Sequence, residues 1–183
     1  RDRGEVLQLQ HNKEIDILEE TYLNIISSKT ASLFAAASKV GAIIAEKDLK
    51  YKNALEFYGK NLGLTFQIAD DTLDYNSELK LFGKNIGNDF YEGKVTLPMI
   101  LLYQKVDKFE KEKLKFFFEK DLRKKQDLEH VLVLIKKNNI INECYKKAEH
   151  YINLASNSLS VFEESEEKII LKNLTSFSIE RNF

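Results

Sequence analysis

The chain has 183 residues, of which 43% are hydrophobic and 31% charged, a balance typical of a globular protein rather than a disordered one. Its 28 basic and 29 acidic side chains give a formal net charge of −1, which gives no indication of nucleic-acid binding, since that needs a basic excess on one face. With one proline and seven glycines, and with abundant Leu, Ile, Lys and Glu, the composition favours long helices over strands. We therefore expect an all-α fold.

The cysteine and histidine content and the length of the apolar runs exclude a disulfide, a zinc site and a transmembrane helix. Cys144 is the one cysteine, so no internal disulfide can form, which fits a reducing compartment and a cytoplasmic protein. The three histidines, His11, His130 and His150, lack the spacing of zinc ligands. No apolar run reaches the roughly 18 residues of a transmembrane helix, and no signal peptide is recognisable. We expect no integral membrane segment.

The first half of the chain has the pattern of long helices. The opening residues look like the inside of a helix and no initiator methionine precedes them, so we expect a fragment whose partner sequence lies upstream. Apolar residues at helical spacing predict one long helix over residues 14–40 and a second from about Leu49 to Tyr75. Gly59 and Gly63 lie inside the second helix, where each costs about 1 kcal/mol relative to alanine. They indicate tight packing or a groove.

The second half begins with a predicted loop over residues 76–94, which is polar, contains three glycines and has a length typical of functional loops. Pro98 suits the first turn of the following helix. Amphipathic helices are predicted at residues 97–105, 108–120, 126–137, 140–161 and 166–182. The lysine-rich stretch from Lys105 to Lys125 is interpreted as a solvated helix face. Because no linker interrupts the chain, residues 1–183 are predicted to form a single, partial domain.

Three aspartates stand near the end of the second long helix. Asp70 and Asp74 are one helical turn apart and Asp71 lies three residues before Asp74, so all three carboxylates can point to one side. Gly63 and Gln67 continue this stripe backwards. Carboxylates this close repel one another, and a bound Mg²⁺ would remove the repulsion. A solvated acidic surface turn is the simpler alternative, whereas an EF-hand is excluded because its glycine and terminal glutamate are missing.

Lysines flank this cluster on both sides in sequence. Lys84 and Lys94, each preceded by glycine, could hold the far side of a metal-bound diphosphate as mobile point charges. Lys29 and Thr30 interrupt an apolar helix upstream. Each has an ordinary alternative, since a lysine can extend to solvent and a threonine can bond to its own helix backbone.

Together these motifs resemble the trans-isoprenyl diphosphate synthases, the polyprenyl synthase family. The aspartate-rich helix is similar to the family's second aspartate-rich motif, and the resemblance spans about residues 4–100. The matching segments are Gly4-Glu5-x-x-Gln8, Lys29-Thr30-Ala31, Phe66-Gln67-x-x-Asp70-Asp71-x-x-Asp74, and Gly83-Lys84 to Gly93-Lys94-x-Thr96-Leu97-Pro98. The segment after Asp74 looks most like long-chain members of the octaprenyl type, whose products commonly become quinone side chains.

The resemblance implies an isoprenoid synthase-type helical bundle and a Mg²⁺-dependent prenyltransferase. Such an enzyme condenses isopentenyl diphosphate head-to-tail with an allylic prenyl diphosphate. Carried over to this chain, it implies metal binding by Asp70, Asp71 and Asp74, and diphosphate binding by Lys29, Lys84 and Lys94. It also implies that Thr30 and Gln67 turn their oxygens towards the cationic intermediate and that Phe66 belongs to the substrate-binding set.

One departure from the family pattern leaves alternatives open. The family's first aspartate-rich motif and its isopentenyl diphosphate site lie upstream, and no second acidic cluster precedes Asp70, because Glu19-Glu20 is not one. We therefore expect the N-terminal helices to be lacking, little activity of the chain alone, and a homodimer or a pairing with the missing N-terminal portion. The alternatives are a remnant or non-catalytic subunit, a squalene-type or terpene synthase, and a helical bundle without a ligand.

Overall fold

The computed structural model describes residues 2–76 and 86–180, and these residues form a bundle of α-helices without a strand. The helices are α1 (Asp2–Gln10), α2 (Glu19–Ile26), α3 (Ser32–Ile44), α4 (Leu49–Leu73), α5 (Asn88–Glu92), α6 (Leu97–Lys105), α7 (Lys108–Glu119), α8 (Lys125–Lys137), α9 (Ile140–Ser158) and α10 (Glu166–Glu180). A π-helical segment, Ser27–Ala31, joins α2 to α3, and a short 3₁₀ turn, Leu159–Val161, follows α9. The all-α prediction is confirmed.

The predicted helix over residues 14–40 was wrong at both ends. Turns and extended connections occupy residues 11–18, and the helical path from α2 through the π segment continues to Ile44. Ile15 is buried within one of these turns, so its spacing reflects a core contact and not a helix. Of the loop predicted over residues 76–94, residues 77–85 lie outside the described residues, and the described part contains α5.

The later helices confirm the predictions within a few residues. α6 has the predicted bounds, α7 ends one residue early and α8 begins one residue early. The last three residues of the predicted helix at 140–161 form the 3₁₀ turn, and the end of the last predicted helix, residues 181–182, lies outside the described residues.

α4 is the central helix of the bundle and makes its most extensive contacts with α3 and α9. Its buried positions face those neighbours on both sides, which is why even Thr65 and Thr72 are buried and bond to backbone carbonyls of their own helix. The main core lies around α6, whose first six residues are all buried. This packing fixes α4 firmly up to its C-terminal end.

Gly63 confirms the tight packing that the sequence predicted. A Cβ atom at this position would lie 2.7 Å from the Cα of Ala31, so the backbone of α4 directly touches the π segment. This close approach sets Thr30 of the π segment against Gln67, one turn after Gly63.

Among the helices that the structure describes, none combines the length and the apolar character needed to cross a membrane.

Candidate functional site

A cavity of about 330 Å³ opens at the C-terminal end of α4. It lies between α1, the π segment, the end of α4 and the segment around α5. Charges of both signs line it: the carboxylates come from Asp70, Asp71, Asp74 and Asp89, and the ammonium groups from Lys29 and Lys94. The cavity is therefore suited to a ligand that itself carries both anionic oxygens and a cation.

Asp71 is the most buried of the aspartates on α4, with 7% of its surface exposed. Its Oδ2 accepts a 2.7 Å hydrogen bond from the Tyr22 hydroxyl, and its Oδ1 accepts one of 2.8 Å from Gln67 Nε2. Burial, reinforced by the nearby charge of Asp89, raises the pKa of Asp71 to about 7 although both hydrogen bonds oppose the shift. A cation in the cavity would favour its charged form.

Asp74 binds the backbone of α5. Its two carboxylate oxygens accept hydrogen bonds from the N–H of Asn88 at 3.0 Å and the N–H of Asp89 at 2.8 Å. Burial raises the pKa of Asp74, and these backbone donors oppose the increase. Asp70, one turn earlier on α4, is exposed and faces the same cavity. The three aspartates thus share a cavity but differ in their hydrogen-bond partners: Asp71 accepts from side chains, and Asp74 accepts from the backbone of α5.

The segment from Gly87 to Lys94 adds charges of both signs. Its two glycines, Gly87 and Gly93, have positive φ angles, 83° and 74°, which other residues rarely adopt. Asp89 lies between these two glycines, and burial together with the charge of Asp74 raises its pKa to about 6. Lys94 Nζ lies 3.7 Å from Asp89 and 2.5 Å from the carboxylate of Glu92. Burial alone lowers the pKa of Lys94, but these carboxylates outweigh burial, so its pKa is raised.

Lys29 reaches the cavity from the π segment. Its Nζ donates a 2.8 Å hydrogen bond to Gln8 Oε1 and lies 3.8 Å from a carboxylate oxygen of Glu5. A Cβ at Gly4 would lie 2.5 Å from the backbone N of Lys29, so glycine allows α1 to cross the π segment at this point. π-helical segments are often found at functional sites. Here the segment places a half-buried ammonium group next to α4.

Thr30 and Gln67 extend the hydrogen-bonded network behind the cavity. The Thr30 hydroxyl donates to Gln67 Oε1 at 2.7 Å, and Gln67 Nε2 in turn donates to Asp71. Gln67 lines the cavity, and Thr30 is hydrogen-bonded to Gln67 but is not among the described lining residues. Phe66 packs against Phe34 with ring centroids 5.6 Å apart, and it is not among the described residues that line the cavity. Lys84 lies outside the described residues.

Comparison with known proteins identifies the family. The polyprenyl synthetase family model matches residues 2–135. The chain belongs to this family.

Among its relatives, the geranylgeranyl diphosphate synthase of Saccharolobus solfataricus is 34% identical over 97% of this chain, and the octaprenyl diphosphate synthase of Haemophilus influenzae is 32% identical over 98%. A crystal structure of a polyprenyl synthase from Caulobacter crescentus, complexed with calcium and isoprenyl diphosphate, superimposes with a TM-score of 0.92 at 36% identity and covers 100% of this chain. The chain spans about half the length of these proteins: 54% of each of the two relatives and 56% of the crystallised chain.

These matches confirm the resemblance to the polyprenyl synthase family and its all-α fold, and they include the octaprenyl type. The related sequences and structures are prenyltransferases, as predicted. The matches cover synthases named for both short and long products, so they do not single out one product length.

The site has donor chemistry suited to a magnesium ion, because several carboxylate oxygens line one cavity. In the part of the chain that the structure describes, however, no group of three or more His, Cys, Asp or Glu side chains is arranged to hold a metal ion by itself. Mg²⁺ commonly uses one or two protein carboxylates and completes its coordination with water and substrate phosphates. The carboxylates that line this cavity fit that mode of binding.

Gln8, Asp89 and Tyr22 contribute to this cavity or to its hydrogen bonds but were not among the predicted site residues. Gln8 and Asp89 belong to segments that carried the family resemblance, so the motifs that contain them could have predicted them as site residues. Tyr22 had no such signal, because an apolar position on an amphipathic helix does not show that its hydroxyl meets a carboxylate 49 residues away.

Proposed function

We propose that residues 1–183, as one partial domain, form the diphosphate-gripping part of a Mg²⁺-dependent prenyltransferase. It would condense isopentenyl diphosphate head-to-tail with an allylic prenyl diphosphate. The observation that supports this most directly is that Lys29 and Lys94 line the same cavity as Asp70, Asp71 and Asp74. A diphosphate would pair with the lysines, and a cation bound to the diphosphate would pair with the carboxylates.

The residues of this chain would act mainly by stabilising the charges that develop on the diphosphate and on the allylic carbon. The ammonium groups of Lys29 and Lys94 would stabilise the negative charge that develops on a departing diphosphate. The Thr30 hydroxyl proton is directed to Gln67, so its oxygen lone pairs remain available to face positive charge on the allylic carbon. A bound Mg²⁺ would neutralise diphosphate oxygens and make the diphosphate a better leaving group. Asp70, the exposed member of the cluster, is the proposed principal metal ligand.

The product and the partner are part of the proposal. Similarity to the octaprenyl diphosphate synthase of Haemophilus influenzae supports a long-chain polyprenyl diphosphate, of the kind used for quinone side chains. The relatives are about twice as long as the aligned region. The proposed partner is therefore the family's N-terminal portion, or a second copy of the chain.

The alternative function is a non-catalytic subunit or a remnant of such a synthase. It is favoured by the arrangement of the carboxylates, because no group of three or more His, Cys, Asp or Glu side chains in the described residues could hold a metal ion by itself. Under this alternative, the cavity would still bind a magnesium–diphosphate complex without supporting condensation. Binding and turnover therefore have to be measured separately.

The binding test is calorimetric titration of the chain with inorganic diphosphate in the presence of Mg²⁺. We expect Lys29→Met and Lys94→Met each to weaken binding by about tenfold or more, because each removes a charged hydrogen-bond donor. Lys47→Met, which removes an exposed lysine of the α3–α4 connection, is the matched control and should bind normally. Unchanged affinity in both site variants would contradict the proposed diphosphate site.

The turnover test uses radiolabelled isopentenyl diphosphate, an allylic diphosphate and Mg²⁺, with the chain alone and with the upstream coding segment expressed in trans. Activity that needs both parts and is lost in Asp70→Asn but not in the exposed control Asp16→Asn would establish a prenyltransferase, and the product would reveal its chain length. Normal diphosphate binding without turnover under either condition would favour the non-catalytic subunit.

A further inference from the structure

The outer face of the hairpin formed by α7 and α8 exposes large apolar side chains that the core does not use. Phe109 is 74% exposed, Phe116 59% and Leu122 85%, and Val133 on α8 is also exposed. We call these four residues and the exposed lysines around them the basic-aromatic face. Single exposed apolar side chains are ordinary, but four of them on one hairpin call for an explanation.

The geometry of the hairpin keeps these residues together. α7 and α8 run antiparallel, since His130 Nε2 lies 2.7 Å from Glu110 Oε2 and Lys120 Nζ lies 3.1 Å from Asp127 Oδ2. Leu114, Phe117 and Phe118 are the buried residues of α7, and they form the side of the helix that packs against the core. Phe109 and Phe116 are seven residues apart and therefore share one side of the helix. They form a second apolar stripe, which faces solvent.

The charge of the hairpin differs from that of the rest of the chain. Residues 105–137 contain eleven Lys and Arg but seven Asp and Glu, a net charge of +4 in a chain whose total is −1. Several of the lysines, including Lys108, Lys115 and Lys125, are exposed, and the ammonium group of Lys120 lies 4.6 Å from the centroid of the Phe116 ring. Basic and aromatic side chains are thus interleaved on one surface.

We propose that the basic-aromatic face docks on the surface of an anionic lipid bilayer. Helices that lie in the membrane interface combine lysines, which meet lipid phosphates, with Phe and Leu side chains, which enter the boundary of the acyl region. A solvated lysine-rich face, the interpretation from sequence, accounts for the lysines but not for Phe109, Phe116 and Leu122. A purely electrostatic partner would leave the same apolar side chains unexplained.

The position of this face in the fold connects it to the cavity. Leu122 lies between Asp121, which accepts a 2.9 Å hydrogen bond from Lys13, and Arg123, which donates to the Tyr91 carbonyl of α5. α5 and the residues that flank it carry Asp89 and Lys94. Docking would therefore bring the bilayer next to the segment that forms one wall of the cavity. The proposal does not depend on the proposed function.

The test is co-sedimentation of the 183-residue chain with vesicles of phosphatidylcholine alone or of phosphatidylcholine mixed with phosphatidylglycerol. We expect binding to the anionic vesicles only, weakening as NaCl is added. Lys108→Glu/Lys115→Glu should reduce the partition coefficient by at least about tenfold, since each surface lysine contributes about fivefold. The matched control, Lys47→Glu/Lys50→Glu, changes two exposed lysines, one in the α3–α4 connection and one in the first turn of α4, and should bind normally.

A second variant pair tests the apolar contribution. Phe109→Ser/Phe116→Ser should lower binding by about tenfold, whereas Phe177→Ser, which removes an exposed phenylalanine from α10, should not. Urea unfolding of each variant verifies that it is folded. Absence of binding to anionic vesicles, equal binding to both kinds of vesicle, or full binding by the phenylalanine variant would overturn the proposal. Loss of binding in the lysine variant alone would indicate a purely electrostatic contact and would also overturn it.

Discussion

Tyr22 of α2 donates a 2.7 Å hydrogen bond to the carboxylate of Asp71 on α4, at a point where both side chains are buried. Burial, together with the charge of Asp71, raises the pKa of Tyr22, so the phenol remains a donor at every pH at which the protein is handled. With Gln67 on its other side, Asp71 is held in one orientation, and among the described residues no cation forms a hydrogen bond with it. This pair makes the stability of the protein depend on pH and on the occupancy of the cavity.

The first prediction concerns the charge of Asp71 in metal-free protein. Its pKa rises from 3.8 in the unfolded chain to about 7 in the folded one. Between these values the folded state holds a proton that the unfolded state lacks, so this group's contribution to stability falls as the pH rises from about 4 to about 7. Above pH 7 both states are ionised and the full cost, about 4 kcal/mol, is present.

Asp71→Asn should therefore be more stable than the parent at pH 8 by up to a few kcal/mol, and the difference should vanish near pH 4. Urea unfolding in EDTA at several pH values measures this directly. Asp16→Asn changes an exposed carboxylate and serves as the control. A constant difference between parent and Asp71→Asn at all pH values would show that the buried charge is not its cause.

The second prediction separates the hydrogen bond from the packing of the phenol ring. Tyr22→Phe leaves the buried carboxylate without one of its donors and should destabilise the fold by about 1–3 kcal/mol at pH 8. At pH 5, where Asp71 is protonated, the loss should be smaller. In the Asp71→Asn background the effect of Tyr22→Phe should shrink further, and a double-mutant cycle from urea unfolding gives the coupling energy. Additive effects would show that the two side chains do not interact.

The parts of the fold that sequence reasoning predicted are those fixed by local periodicity. The stripe through Gly63, Gln67 and Asp70 was predictable because an uninterrupted helix turns by the same angle at every residue. The π segment was not, because the composition of these five residues does not distinguish i→i+5 from i→i+4 backbone hydrogen bonds. That segment sets where Lys29 lies, so its contact with Gln8 could not be predicted either.

The path of the chain around α5 shows a second limit of sequence reasoning. Asp74 was interpreted as a metal ligand because of its spacing on α4, yet its carboxylate also accepts two backbone N–H groups of α5. Nothing in the local sequence reveals this contact, since it joins the end of one helix to a segment 14 residues later. Predictions from spacing therefore identified the three aspartates near the end of α4 that line the cavity, but not the groups that already hold them.

The third prediction compares two glycines in long helices. Gly63→Ala places a Cβ 2.7 Å from the Cα of Ala31 and should cost about 1–2 kcal/mol after the gain in helix propensity is included. Gly41→Ala, in α3, meets no atom within 4 Å and should stabilise the protein by about 0.5–1 kcal/mol. Urea unfolding of both variants gives the two free energies. Equal stabilisation by both would contradict the close contact between α4 and the π segment.

The fourth prediction concerns Arg123, which joins the α7–α8 connection to α5. This buried guanidinium donates to the Phe118 carbonyl at 2.6 Å and to the Tyr91 carbonyl at 3.2 Å. A Cβ at Gly93 would lie 2.7 Å from its Nη2, so the guanidinium also packs tightly against the end of the α5 segment. Arg123 thus holds the segment that carries Asp89 and Lys94 against the rest of the bundle.

Arg123→Met keeps much of the apolar stem but removes both donors, so we expect a loss of about 2–4 kcal/mol in the free energy of unfolding. The amide groups of residues 88–93 should lose more protection from hydrogen exchange than those of α9, because the opening is local to α5. Lys125→Met, two residues further along and exposed, is the control for removing a positive charge from this connection. A uniform loss of protection over the whole chain would instead show that Arg123 stabilises the bundle generally and does not position the wall of the cavity.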